Sequence, residues 1–251
     1  MGSNLFIGIC SSMMRLVEMS YLDLQRGTTL AGTNNKGGRL RSPSAAIAVT
    51  AIFSAMAVAI TMTKLTIPYP PLPYLKFDFS EIPVIVALML MGPVYGFLSS
   101  VIYWIVLTIR AGDVLGPAMK FAAVASMIVG FWVASAVYRR VVKKKGIASM
   151  MISGFVLGSL FRAIVMSVFN YLVLLYIAPY YVEFIAPILA SIGLPSETTM
   201  EVVIWSLLLT AVYNVIHSAI TVFPAYILTK ASLERVPGII GGAWIREFLV
   251  D

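Results

Sequence analysis

The chain has 251 residues, 60% of them hydrophobic and only 12% charged, with a formal net charge of +7 and a mean hydropathy of +0.93. A soluble domain carries roughly 25% charged residues, so the composition excludes a soluble fold and leaves a membrane protein that crosses the bilayer repeatedly. The single cysteine, Cys10, excludes an intramolecular disulfide, and with one distant histidine it offers no metal-ligand spacing.

The chain divides into a basic lead-in over residues 1–44, a membrane domain over 45–230 and a short tail over 231–251. Within the lead-in, Leu5 to Leu24 is moderately apolar but carries Arg15, Glu18 and Asp23, which suits a surface helix better than a span. It lacks the compact apolar region and small-residue cleavage site of a signal peptide. Gly27 to Ser44 is rich in Gly, Asn and Arg and reads as a flexible basic segment.

Ala45 to Met62 is free of charge and long enough to cross, since a span needs ~20 apolar residues. Ala51, Ala55 and Ala59 recur every fourth residue and so share one helical face. Small residues at that spacing let a second helix approach closely, whether inside the bundle or from a partner. Tyr69 to Pro73 follows as a stiff, extended connector, because proline fixes φ and disfavours helix in the residue before it. Then Lys76-Phe77-Asp78-Phe79-Ser80-Glu81 opens an apolar helix that stops at Gly92-Pro93. Asp78 and Ser80 are good N-cap residues there, and acidic side chains favour a helix N-terminus.

The charge-free run from Ile82 to Ile109 is one long span or two short ones, and positive charge decides. A break at Gly92-Pro93 gives six spans, at about 45–63, 79–91, 94–110, 116–138, 147–178 and 202–229. Most basic residues, including the Arg139–Lys145 cluster, then lie on the side of both termini; a single span would place that cluster outside, against the positive-inside rule. The expected fold is an all-α integral membrane protein, a six-transmembrane-helix bundle with both termini cytoplasmic. Outside lie the proline loop, a turn at Gly112-Asp113, and Pro179 to Glu201, an aromatic segment with Tyr180, Tyr181, Glu183 and Phe184. Thr198 and Glu201 fit the capping box of the sixth span.

Polar residues inside spans are costly and usually face a cavity or a partner. The sixth span carries Ser206, Thr210, Asn214, His217 and Thr221 on one face, with Tyr213 beside them; the fifth carries Ser159, Arg162, Ser167 and Asn170, the third Tyr103 and Trp104, and the fourth Lys120. Interhelical hydrogen bonding and a ligand site are both compatible with this set, and Arg162 suits a structural or coupling role as well as ligand contact. Asn offers donor and acceptor together, which suits the uracil-like edge of a flavin or another heterocyclic amide. Tyr and Trp supply flat stacking faces, and Lys76, Lys120 and His217 suit hydroxyls or an anionic group. No catalytic constellation is present, which disfavours an enzyme. Many pumps carry acidic relay residues inside their spans, and none is evident here.

The stretch Pro73-Tyr74-Leu75-Lys76-Phe77-Asp78-Phe79-Ser80-Glu81-Ile82-Pro83, followed by Gly92-Pro93 and Gly96, resembles the substrate-binding S components of energy-coupling factor (ECF) transporters, and among them the riboflavin-binding type. Gly116-Pro117-Ala118-Met119, Asn170-Tyr171, Tyr213-Asn214 and the Ala51/Ala55/Ala59 face add to the likeness, which covers roughly residues 45–230. The resemblance implies a vitamin-binding subunit in a prokaryotic plasma membrane, most similar to one taking riboflavin as transported ligand, with no cofactor and no nucleic-acid partner. It further implies docking on a transmembrane coupling protein driven by two ATPases. On that likeness Asn170, Asn214 and His217, with Tyr213, line the pocket; the loop from Tyr74 through Lys76 and Phe77 to Asp78 caps it; and Ala51, Ala55 and Ala59 meet the coupling protein. Lys120 stands where an asparagine is usual and His217 where a longer polar or charged side chain is common, which leaves open FMN or a different vitamin. A stand-alone carrier or channel, and a structural membrane protein, are the competing readings.

Overall fold

A computed structural model describes residues 43–141, 146–235 and 243–248. The expected surface helix at 5–24, the basic lead-in and Lys143 to Lys145 lie outside the described residues. Helix α1 spans Pro43–Met62, and strands β1 (Thr66–Tyr69) and β2 (Leu72–Asp78) follow. Next come α2 (Glu81–Met91), α3 (Pro93–Ala111) and α4 (Leu115–Val141). Helix α5 covers Ile147–Leu172 and runs into one π-helical turn at Val173–Ile177. Helices α6 (Tyr180–Ser191) and α7 (Thr199–Arg235) and a 3-10 turn at Trp244–Phe248 complete the described chain.

Five of these helices, α1, α3, α4, α5 and α7, are long and apolar enough to cross a membrane. The expected second span differs. Helix α2 has 11 residues, about 16 Å at 1.5 Å per residue, which is shorter than the ~30 Å hydrocarbon layer. Its first ten residues are all buried, so its environment is protein on every side. That explains why α2 shows no amphipathic stripe: a helix apolar all round is one buried all round.

The break before α3 forms as expected. Gly92 takes φ +97°, a conformation that L side chains rarely adopt, and Trp244 lies 3.3 Å from where a Cβ would stand. Pro93 then starts α3, at a position where its missing N–H costs nothing. Helices α4 and α5 cross closely at Gly130 and Gly158, where a Cβ on Gly130 would come within 2.6 Å of the α5 backbone. Phe131 fills the space left beside Gly154 and Gly158.

The connector expected to be extended over Tyr69 to Pro73 instead reverses direction: Pro70-Pro71 make the turn of a hairpin, with Tyr69 opposite Leu72. Strands β1 and β2 form an antiparallel hairpin with Thr66 opposite Asp78 and Ile67 opposite Phe77. Tyr69, Leu72 and Phe77 point into an apolar cluster with Ile185 and Leu189 of α6 and Val202, Val203 and Tyr213 of α7. The segment expected as an outer loop at Pro179 to Glu201 is largely helical. Helix α6 tolerates Pro187 within it, eight residues along, and supplies the apolar face on which the hairpin rests. The capping box forms: Glu201 Oε2 accepts from Thr198 N at 2.9 Å, and Glu201 N donates to Thr198 Oγ1 at 3.2 Å. Asp113 caps α4 by accepting from Leu115 N and Gly116 N, both at 3.1 Å. The backbone donors of Gly116 and Leu115 hold its carboxyl below the usual aspartate range.

On α1 the two faces separate cleanly. Thr50, Ser54 and Ala57 are buried, and Ser54 Oγ donates to Ser99 Oγ of α3 at 2.9 Å. Ala51, Ala55 and Ala59 are exposed on the opposite face.

Candidate functional site

Beneath the hairpin lies a cavity of about 460 Å³, walled by β2, the first turns of α4, the second half of α5, and α6 and α7. Its walls mix Met119, Met166 and Leu174 with a converging set of polar side chains. That combination of apolar wall and few placed polar groups is typical of a small-molecule site.

The floor is an ion pair. Arg162 of α5 and Glu81 at the start of α2 are both almost wholly buried, with side-chain exposures of 2% and 1%. Arg162 Nη1 donates to Glu81 Oε2 at 2.5 Å and Nη2 donates to Oε1 at 3.1 Å, a two-pronged contact that fits the guanidinium fork. Arg162 Nε donates to Asn214 Oδ1 at 2.9 Å, and Nη2 lies 3.1 Å from His217 Nδ1. Thr221 Oγ1 reaches the same Glu81 carboxylate at 3.5 Å. Three helices far apart in sequence, α2, α5 and α7, therefore meet at one guanidinium and one carboxylate.

A second pair stands at the root of the hairpin. Lys120 Nζ of α4 donates to Asp78 Oδ2 and, at 2.8 Å, to Ser80 Oγ. Ser80 in turn bonds Asp78 Oδ1 and lies 2.6 Å from Tyr103 Oη of α3, which is 2.9 Å from Thr61 Oγ1 of α1. Ser80 makes no side-chain cap bond to the helix it precedes; Asp78 Oδ1 accepts its backbone N–H instead, at 2.9 Å. Burial alone would raise the Asp78 carboxyl, but the nearby Lys120 ammonium, helped by His217 and by hydrogen bonds from Lys120 and Ser80, lowers it to about 2. His217 Nε2 also lies 3.1 Å from the Asp78 carbonyl, and Tyr213 Oη donates to the Lys76 carbonyl at 2.7 Å. The strand is thus tied to α4 through its side chain and to α7 through its backbone.

The expected site residues fall into three groups. Asp78, Lys120, Asn170, Tyr213, Asn214 and His217 all line the cavity. Tyr74 and Lys76 line its mouth, where Tyr74 faces Phe184 of α6 with ring centroids 6.0 Å apart. Phe77 is not part of the wall: it is buried and stacks on Tyr213 at 4.8 Å with an interplanar angle of 22°. It orients the tyrosine, which is a supporting part.

Sequence reasoning missed Glu81 as a site residue and left Arg162 without a role. A signal was there. A lone arginine in a span needs an opposite charge, and Glu81 is the acid that begins an otherwise apolar helix. Asp113, Tyr181, Phe184, Ser206 and Thr210 also reach the wall; of these, Ser206 and Thr210 were visible on the polar stripe of the last span.

With this geometry in view, the sequence model of "ECF transporter, substrate-specific component" matches residues 45–226. The chain belongs to the substrate-specific components of ECF transporters. It is similar to the riboflavin transporter RibU of Staphylococcus aureus (strain TCH60), 34% identical over 125 residues, which are 49% of this chain and 62% of that protein. It is also similar to the riboflavin transporter FmnP of Bacillus subtilis (strain 168), 28% identical over 169 residues, 65% of this chain and 84% of that one. The match thus spans less than two thirds of the first relative and most of the second. A solved S component of a bacterial ECF transporter shares the fold with a TM-score of 0.58 at 24% identity, covering 77% of this chain and 98% of that one. The family is one of transport subunits and not of enzymes, and the protein is a multi-pass membrane protein.

Proposed function

We propose that this chain is the high-affinity riboflavin-binding subunit of an ATP-driven ECF uptake transporter in a prokaryotic plasma membrane. It takes riboflavin from outside, with both termini on the cytoplasmic side, and delivers it together with a transmembrane coupling protein and two ATPases. The observation that carries this reading is the cavity. Its volume of about 460 Å³ falls within the ~300–1,000 Å³ common for small-molecule pockets. Amide, hydroxyl and aromatic groups converge on it. The names of the two relatives point to riboflavin among the vitamins.

The pairing of charges favours an uncharged ligand over a phosphorylated one. Inside the cavity Lys120 is neutralised by Asp78 and Arg162 by Glu81, so a phosphate would find its cation in the exposed Lys76 at the mouth, where water screens the attraction. FMN is then expected to bind more weakly than riboflavin, which a competition titration reads.

The first test is the visible absorbance of the detergent-purified protein. A flavin spectrum at one ligand per chain supports the proposal. If the sample is colourless, riboflavin is titrated while its fluorescence is followed, and an absence of quenching ends the riboflavin assignment. The partner assignment has its own test. The exposed Ala51/Ala55/Ala59 face suits close approach of a coupling-protein helix, so Ala55→Leu should spare riboflavin binding and abolish uptake in cells with the coupling module. Unimpaired uptake would remove this face from the interface.

A further inference from the structure

Serine and threonine inside a helix ordinarily return their hydroxyl proton to a carbonyl one turn back. Several buried ones here follow that habit: Ser54 bonds Thr50 O at 2.7 Å, Ser159 bonds Val156 O at 3.1 Å, and Ser218 bonds Asn214 O at 2.8 Å. Ser206 departs from it. Its residue exposure is 2%, and its enclosed hydroxyl has no hydrogen-bond partner. A buried polar group left unpaired is costly, and native structures carry few of them.

The place of the orphan gives it a meaning. Ser206 belongs to the cavity wall, on the same face of α7 as Thr210 and Asn214. The neighbouring amides are already engaged: Asn214 Nδ2 donates to Thr210 O at 2.8 Å while its Oδ1 accepts from Arg162, and Asn170 Nδ2 donates to Met166 O at 2.7 Å. The Ser206 hydroxyl is a wall group whose bonding capacity is unused. Serine χ1 exchanges among three staggered wells, so the hydroxyl of this wall residue is free to turn toward a bound molecule.

We propose that Ser206 is a ligand-contacting, specificity-determining residue, whose hydroxyl completes its hydrogen bonding on a polar group of the bound molecule. This rests on the riboflavin reading above, so wild-type riboflavin binding is measured first; its failure sinks that reading and leaves Ser206 aside. With binding established, Ser206→Ala and Ser206→Cys are compared with wild type by riboflavin and lumiflavin titration, and by thermal unfolding of the ligand-free protein in detergent. Ser206→Ala should weaken riboflavin binding roughly three- to tenfold, the scale of one hydrogen bond, with Ser206→Cys between it and wild type. The ligand-free protein should unfold at the same temperature or higher, because an unsatisfied hydroxyl has been removed. Loss of affinity for riboflavin alone assigns the contact to the ribityl hydroxyls that lumiflavin lacks; loss for both assigns it to the ring edge. Unchanged riboflavin affinity in Ser206→Ala would overturn the proposal, and so would a ligand-free variant destabilised in step with its loss of binding.

Discussion

The floor and the mouth of the cavity are built on opposite principles. At the floor, Glu81 and Arg162 are withdrawn from solvent and held by Asn214, His217 and Thr221. At the mouth, Tyr74, Lys76, Tyr181 and Phe184 are exposed, and Tyr74 meets Phe184 edge to face. Desolvated charges demand a fixed geometry, whereas exposed aromatic contacts are worth little individually and exchange readily. A binding site with a rigid base and a loosely held entrance can stay preorganised while still admitting its ligand.

The largest expected effect breaks the floor. Glu81→Ala strands a buried guanidinium, and removing one partner of such a pair costs ~3–5 kcal/mol. Thermal unfolding in detergent should show a large drop, and Glu81→Leu combined with Arg162→Met should recover much of it. A Glu81→Ala protein as stable as wild type would mean that Arg162 reaches water through the cavity, making the floor no different from the mouth.

The hairpin root lies between the two extremes, and pH separates it from them. The Asp78 carboxyl is lowered in the folded protein, so its pairing with Lys120 contributes stability above the unfolded aspartate value of ~3.9. That contribution is lost as pH falls through about 2. Asp78→Asn should therefore unfold at a lower temperature than wild type near neutrality, with the gap closing between those two values. A gap that persists unchanged at the acid end would show that the carboxylate charge is not what ties strand to helix.

The smallest effect belongs to the mouth. An aromatic pair such as Tyr74 with Phe184 contributes ~0.5–1.5 kcal/mol beyond its burial. Tyr74→Ala should leave unfolding nearly unaltered while riboflavin leaves several-fold faster in stopped-flow fluorescence. A marked loss of stability would make the mouth part of the rigid base.

How much of this was legible in the sequence depended on range. The long spans, the break at Gly92-Pro93 and the Thr198/Glu201 cap are local patterns, and the structure reproduces them. The polar stripe of α7 followed from spacing alone. Helix α6 was hidden because Pro179, Pro187 and a run of aromatics imitate a loop, and its helicity is sustained by the hairpin packed on it. The Glu81–Arg162 contact joins residues 81 positions apart, and no local periodicity encodes such a meeting. The hairpin was half legible: Pro68 and Pro73 lie in extended strands, but Pro70-Pro71 make its turn, and the pairing of β1 with β2 is supported by the apolar bed that α6 and α7 provide.

The burial of α2 also has a bearing on how the protein is made. A helix of 11 residues that begins with an acid is a poor substrate for one-by-one insertion by a translocon, since it neither spans the bilayer nor neutralises its own charge. Its guanidinium partner is synthesised three helices later, and Asn214, His217 and Thr221 arrive only with the final span. Biogenesis must therefore keep an early segment waiting, sheltered beside α1 and α3, until the end of translation supplies the residues that fix it in place.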